Sequence, residues 1–188
     1  VERHRGGQRD SAGALIDAKM LTTRDVPRPL LDEAIYARAD DVIGQVAAIP
    51  LRPGMVVWLE GDLGAGKTTL VRGLLRAAGE TGAVKSPTYT LVEVHPVSGL
   101  NFYHFDFYRF NQAEEYLDAG LDDYFSAGGI CLVEWPDKAG GHLPPPDLRI
   151  ALAVVGEARR ARLSACCERG RTCLDRLLHA VEGKPGQA

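Results

Sequence analysis

No stretch of this chain stays apolar for the ~18 residues that a membrane-spanning helix requires, and no apolar core follows its first residues. Arg3, Arg5, Arg9, Asp10 and Asp17 stand where a secretory signal would be hydrophobic, so the expectation is a soluble, cytoplasmic protein with no membrane partner. Cysteine is sparse. Cys131, Cys166, Cys167 and Cys173 form no C-x-x-C pair, which argues against a zinc site or a disulfide framework and predicts reduced thiols. An excess of one charge is also missing, with 22 Lys and Arg against 25 Asp and Glu. The distribution is uneven: residues 111–147 carry eight acids against Lys138 alone, while residues 157–184 hold seven Lys or Arg against four acids. Tight independent binding to RNA needs a broad basic face, and only a modest basic patch near the C-terminus is on offer.

What is present is enough apolar material for one core. The chain has 188 residues, 45% of them hydrophobic, and one domain is the default at that size. Gly61 to Thr69 reads G-D-L-G-A-G-K-T-T and fits the pattern G-x-x-x-x-G-K-[ST] of a P-loop. The flanks agree with it. Met55 to Glu60 is short, apolar and β-branched, as a buried parallel strand should be, and Leu70, Val71, Leu74 and Leu75 follow at helical spacing until Gly79. Strand, glycine loop and helix in that order point backbone N–H groups and a helix dipole at one spot, which suits a triphosphate. The cradle is Gly61, Asp62, Leu63, Gly64, Ala65, Gly66, Lys67, Thr68 and Thr69. Lys67 is expected to reach the β- and γ-phosphates, and the Thr68 hydroxyl to ligate Mg2+.

Along the chain, residues 1–29 are polar and end in Pro27 and Pro29, which predicts a flexible N-terminal extension before a domain over 30–182 and a disordered tail over 183–188. Leu31 to Ile49 reads as one helix lying beside the P-loop strand. The loop Lys85 to Thr90 crowds the hydroxyls of Ser86, Thr88 and Thr90 around Pro87 and leads into a strand over 91–95; Pro96 to Gly99 turn the chain into a second strand, Phe102 to Phe105. Asn111 with Glu114 three residues on predicts a capped helix that stops at Gly120. Ile130 to Val133 reads as a strand, Leu148 to Val155 pairs with 161–166, and a helix spans 171–181. The fold class implied is α/β: a P-loop NTPase-like single domain with a mostly parallel central sheet, helices on both faces and antiparallel additions.

Two strands deliver an acid at their C-terminal ends, Asp106 and Glu134, and spacing alone does not choose which one faces the metal. The aliphatic run before Glu134 suits a central buried strand, and the aromatic run before Asp106, with His104 in it, suits a partly exposed one. The metal is therefore assigned to Glu134 with Thr68. Asp106 is left to position or activate the attacking water, or to support the Mg2+ through its waters. The structural alternative is that either acid caps a strand end or pairs with Arg109. His104 reads as a hydrogen-bonded structural residue, and Trp135 either as core or as an interface or sensor residue.

Taken together, L-E-G-D-L-G-A-G-K-T-T at 59–69, S-P-T-Y-T-L-V at 86–92, Y-H-F-D-F-Y-R at 103–109 and V-E-W-P at 133–136 resemble the TsaE (YjeE) family over about residues 30–155. The resemblance implies a bacterial ATPase of tRNA threonylcarbamoyladenosine synthesis, using ATP and Mg2+. It implies a switch loop near the γ-phosphate at Thr88, an active-site role for Asp106, alongside Lys67, and a metal contact for Glu134. TsaB and TsaD are the implied partners, TsaD transferring threonylcarbamoyl to the adenosine beside the anticodon of tRNAs that read codons beginning with adenine. The tRNA is met only through that complex, and ATP hydrolysis is expected to reset it between cycles.

Two other classes share the same motif. A small-molecule kinase needs a lid with several arginines over the phosphates, yet Arg109 is the only arginine between Asp106 and Pro146. An N-K-x-D guanine-reading motif is absent, which argues against a GTPase. A module that holds ATP without useful turnover is the third reading, and phosphate release separates it from an ATPase.

Overall fold

The computed structural model describes residues 32–182. The expected extension over 1–29 and tail over 183–188 lie outside the described residues. Seven strands form one sheet: β1 (Asp32–Arg38), β2 (Val56–Glu60), β3 (Val92–Val97), β4 (Leu100–Asp106), β5 (Ile130–Glu134), β6 (Leu148–Val155) and β7 (Ala158–Ala165), in the order β1-β7-β6-β2-β5-β4-β3. The four central strands, β6, β2, β5 and β4, are parallel neighbours; β3, β7 and β1 add antiparallel edges. This is the expected α/β architecture.

Side chains alternate across each strand, so the sheet separates two cores. On one face Val57, Leu59, Phe102, Leu132, Ile150 and Leu163 meet helices α1 (Ala39–Ala47), α2 (Lys67–Ala78) and α5 (Glu168–Glu182). On the other, Val56, Phe105, Cys131 and Val133 meet Tyr116 of α3 (Glu115–Asp118), Tyr124 and Phe125 of α4 (Asp122–Ser126), and Ala139 of a 3-10 segment over Pro136–His142. Helix α2 buries Leu70, Val71, Leu74 and Leu75, the periodic set visible in the sequence. It stops at Gly79, whose left-handed φ of 111° lets its N–H turn back to the Arg76 carbonyl.

Several expectations need correction. The segment expected to be one helix over 31–49 divides into β1 and α1, because β1 pairs in full register with β7, from Asp32 opposite Ser164 to Arg38 opposite Ala158. Helix α1 packs on α2, β1 and β7, and its Val42 and Val46 share one core with Val57 and Leu59 of the P-loop strand. Pro96 is not in a turn: it lies in β3, an edge strand, where a missing N–H is tolerated, and the turn is Ser98–Gly99. β4 is not partly exposed; Phe102 to Asp106 are all buried between β5 and β3. The carboxylate that caps the start of α3 is Glu115, accepting the N–H groups of Asn111 and Gln112, and not Glu114. Helix α5 begins at Glu168, three residues before the expected start.

Candidate nucleotide-phosphate site

The glycine loop leaves the C-terminal end of β2 and enters α2, so it sits at the edge of the parallel sheet where crossover folds bind ligands. Gly61 is required there. Its φ is 130°, and a Cβ at this position would collide with the Leu152 carbonyl of the neighbouring strand β6. The loop is thereby drawn tight, and Lys67, the first residue of α2, folds back over it. Its ammonium donates to the carbonyls of Gly61 and Asp62, at 2.5 and 3.0 Å, and lies 3.7 Å from the centre of the Trp135 ring. Burial holds the Lys67 ammonium below the ordinary lysine value, while the charges of Glu134, Asp106, Asp62 and Asp137 pull it back up.

Two acids arrive from β4 and β5, which pair so that Asp106 and Glu134 are register partners at adjacent strand ends. Both are buried. Each oxygen of Glu134 has its own partner: Thr68 Oγ1 donates to Oε2 at 3.1 Å, and His104 Nε2 lies 2.8 Å from Oε1. Asp106 is engaged differently. Its Oδ2 accepts the hydroxyls of Ser86 and Thr88, the latter at 2.8 Å, and its Oδ1 accepts the Tyr108 N–H at 3.0 Å. The loop carrying Ser86 and Thr88 is thus fastened to the end of β4. Tyr89 beyond it stands 82% exposed, with the Arg109 guanidinium 4.1 Å from its ring centre. The loop ends at Leu91, a non-glycine residue at φ 64°, a strained pivot at the entrance to β3.

These groups line one open cleft of about 330 Å³, within the range of small-molecule pockets. Its walls are Leu63, Gly64, Gly66, Lys67, Thr68 and Thr69 from the P-loop, Ser86 and Thr88, Asp106 and Tyr108, then Glu134 and Trp135. Lys67, Thr68, Thr88, Asp106, Glu134 and Trp135, singled out from the sequence, therefore converge. Gly61, Asp62 and Ala65 do not line the cleft: the first two present carbonyls to the lysine, and Ala65 is buried behind the loop. Trp135 is not simple core. It takes a left-handed φ of 58° and packs on Tyr108 at 5.1 Å between ring centres, which places its indole beside the lysine.

Two residues at the cleft are not among the sequence candidates. Ser86 and Tyr108 sit beside residues already chosen, and their adjacency to Thr88 and Asp106 was the available signal. His104, expected to be a hydrogen-bonded structural residue, is fully buried and bonded to Glu134, the acid assigned to the metal. Its position two residues before Asp106 on a strand, hence on the same face, was the clue. Among the described residues no helix is long and apolar enough to cross a membrane.

The geometry can be set against known proteins. The sequence profile of the family described as threonylcarbamoyl adenosine biosynthesis protein TsaE matches residues 37–162. A tRNA threonylcarbamoyladenosine biosynthesis protein TsaE of Haemophilus influenzae is 46% identical over 120 residues, covering 64% of this chain and 76% of that protein. Its counterpart in Bacillus subtilis is 42% identical over 118 residues, covering 63% and 73%. Among solved structures, YdiB of Bacillus subtilis superposes with a TM-score of 0.69 at 29% identity, covering 82% of this chain and 99% of that one. The matched region contains the P-loop, both strand-end acids and the hydroxyl loop, and on that basis the chain belongs to the TsaE family of threonylcarbamoyl adenosine biosynthesis proteins.

Proposed function

We propose that the cleft binds ATP with Mg2+ and hydrolyses it, and that this turnover supports TsaB and TsaD in threonylcarbamoylation of the adenosine next to the anticodon. The tRNAs concerned read codons that begin with adenine. The observation that carries the reading is Lys67: a buried ammonium at the head of a helix, facing Thr68, Asp106 and Glu134 across one cleft. Two loop carbonyls occupy two of its three donors, and the third, with the Trp135 ring beside it, is the one a phosphate would take. The loop amides and the α2 dipole hold the remaining phosphate charge.

The residues present suit Mg2+. Among the described residues no group of three His, Cys, Asp or Glu gathers to cage a metal. Mg2+ needs no cage, because it takes one or two protein oxygens and completes its shell with water and phosphate. Thr68 Oγ1 and Glu134 Oε2, at 3.1 Å, are the hard oxygens that would hold it. When bound, the ion neutralises charge developing on the transferred phosphoryl group. Asp106 is the group that orients the attacking water. With Ser86, Thr88 and Tyr108 all donating to it, its oxygens are engaged until the hydroxyl loop lets go. Hydrolysis is therefore slow in the isolated chain and faster when TsaB and TsaD hold the loop in its working position.

The test is phosphate release and affinity for a non-hydrolysable ATP analogue, with and without TsaB and TsaD. Lys67→Ala lowers both sharply while circular dichroism is unchanged; wild-type turnover and affinity in that variant overturn the assignment. Equal partner affinity with the analogue and with ADP, together with unchanged turnover, overturns the coupling.

A further inference from the structure

Glu134 is nine-tenths or more buried, and a carboxylate in that setting needs a donor for each oxygen or it turns toward one. Oε2 has Thr68. Oε1 has His104 Nε2 at 2.8 Å. Each oxygen thus has one partner of its own, Thr68 from the start of α2 and His104 from β4, and together they restrict how the carboxylate can turn. We propose that His104 is a positioning residue for Glu134: its Nε2–H holds Oε1 so that Oε2 faces Thr68 and the metal the two would share. This rests on the reading of Glu134 as the metal carboxylate.

The surroundings of His104 leave it no other post. It lies mid-strand on β4 with no exposed surface, between Leu132 of β5 and Glu93 of β3 in register. The His95 ring stands 6.5 Å away on the same face, tilted by 33°, and His95 in turn has Glu80 and Glu93 at 3.7 and 3.8 Å. His104 Nδ1 has no partner, one of three buried side-chain nitrogens so placed among the described residues. The Nε2–H tautomer fits these contacts better than the Nδ1–H one. A proton on Nε2 serves Glu134 and leaves Nδ1 as a bare lone pair, whereas a proton on Nδ1 would strand an N–H and face two acceptors toward each other. Hydrogen bonds of this kind, one step outside a metal's own ligands, set ligand orientation, and their loss weakens metal binding roughly 10- to 100-fold.

The experiment measures binding of a non-hydrolysable ATP analogue by calorimetry across a Mg2+ titration, and again in EDTA, for wild type, His104→Leu, His104→Gln and Glu134→Gln. His104→Leu weakens the apparent Mg2+ affinity about tenfold or more, with metal-free analogue affinity unchanged. His104→Gln, whose amide N–H can reach the position of Nε2, recovers most of that loss. If His104→Leu does not fold, His104→Asn takes its place, since its shorter amide reaches only the position of Nδ1; Asn weaker than Gln supports the proposal, and the reverse order overturns it. A shift in Glu134→Gln without one in the His104 variants overturns the positioning role and leaves the metal assignment standing. No shift in any variant overturns both. A changed melting temperature with an unchanged Mg2+ titration marks His104 as packing only and overturns the proposal.

Discussion

The sheet buries carboxylates at both of its ends, and they are held in opposite ways. At the N-terminal edge of β2, Asp147 is closed on every side: it accepts the Val56 N–H at 2.8 Å, two guanidinium N–H groups of Arg169 at 2.9 and 2.8 Å, and the Cys167 thiol at 3.0 Å. Its own carbonyl takes the Cys166 N–H, and Gly170 packs so near it that a Cβ would strike that carbonyl. At the C-terminal edge, Asp106 and Glu134 line an open cleft, held by hydroxyls on a strained loop and at a helix start, and by one histidine. The first arrangement is a knot that joins β2, β6 and α5. On the function proposed above, the second keeps partners that a phosphate or a metal would replace, and such replaceability would set a working carboxylate apart from a structural one.

The sharpest way to break the comparison is Lys67→Ala, which lowers phosphate release by roughly a hundredfold or more, the scale of losing one preorganised charge at a reacting group. Stability holds, since a desolvated cation is removed; a large drop in melting temperature contradicts this. Next come the two acids. Glu134→Gln weakens the Mg2+ dependence of nucleotide binding, and Asp106→Asn leaves binding largely intact and slows hydrolysis by roughly tenfold or more. Titrations in which Asp106→Asn alone loses Mg2+ dependence exchange their roles.

At the opposite end, Asp147→Ala loses about 2 kcal/mol in urea denaturation, less than a wholly buried pair because Arg169 is about half exposed. Nucleotide affinity of the folded protein is unchanged; a loss of affinity at constant stability would join the knot to the site. The smallest effect is on pH. Lys67 has a folded value below 10.5, so in the window between the two values the unfolded chain holds a proton that the folded one has shed, and stability rises with pH. The advantage of Lys67→Met over wild type in chemical denaturation therefore shrinks as pH climbs toward 10.5. An advantage that widens contradicts the desolvated lysine.

How much of this could be read in the sequence follows from how local each cause is. The P-loop with its strand and helix is contiguous, and so are the hairpin of β3 and β4 and the all-apolar β5; each was legible, as was the convergence of Asp106 and Glu134 at strand ends. β1 was not, because nothing in residues 32–38 overrides their helical spacing until β7, more than a hundred residues later, supplies the pairing. The bond from His104 to Glu134 spans 30 residues and that from Asp147 to Val56 spans 91. Asp147 followed three prolines and carried no motif, so its place in the knot was silent.

The parallel pairing of β2 has a consequence for the order in which the chain acquires its shape. Val57 stands beside Leu132 on one side and Leu148 on the other, and β2 has no strand neighbour from its own half of the chain. Such pairings require large loops to close before any contact rewards them, which slows folding. On a ribosome the glycine loop emerges long before the strands that flank it. The P-loop strand therefore waits as exposed, apolar, β-prone chain until β5 and β6 have been synthesised, and over that interval a chaperone has its best claim on this protein.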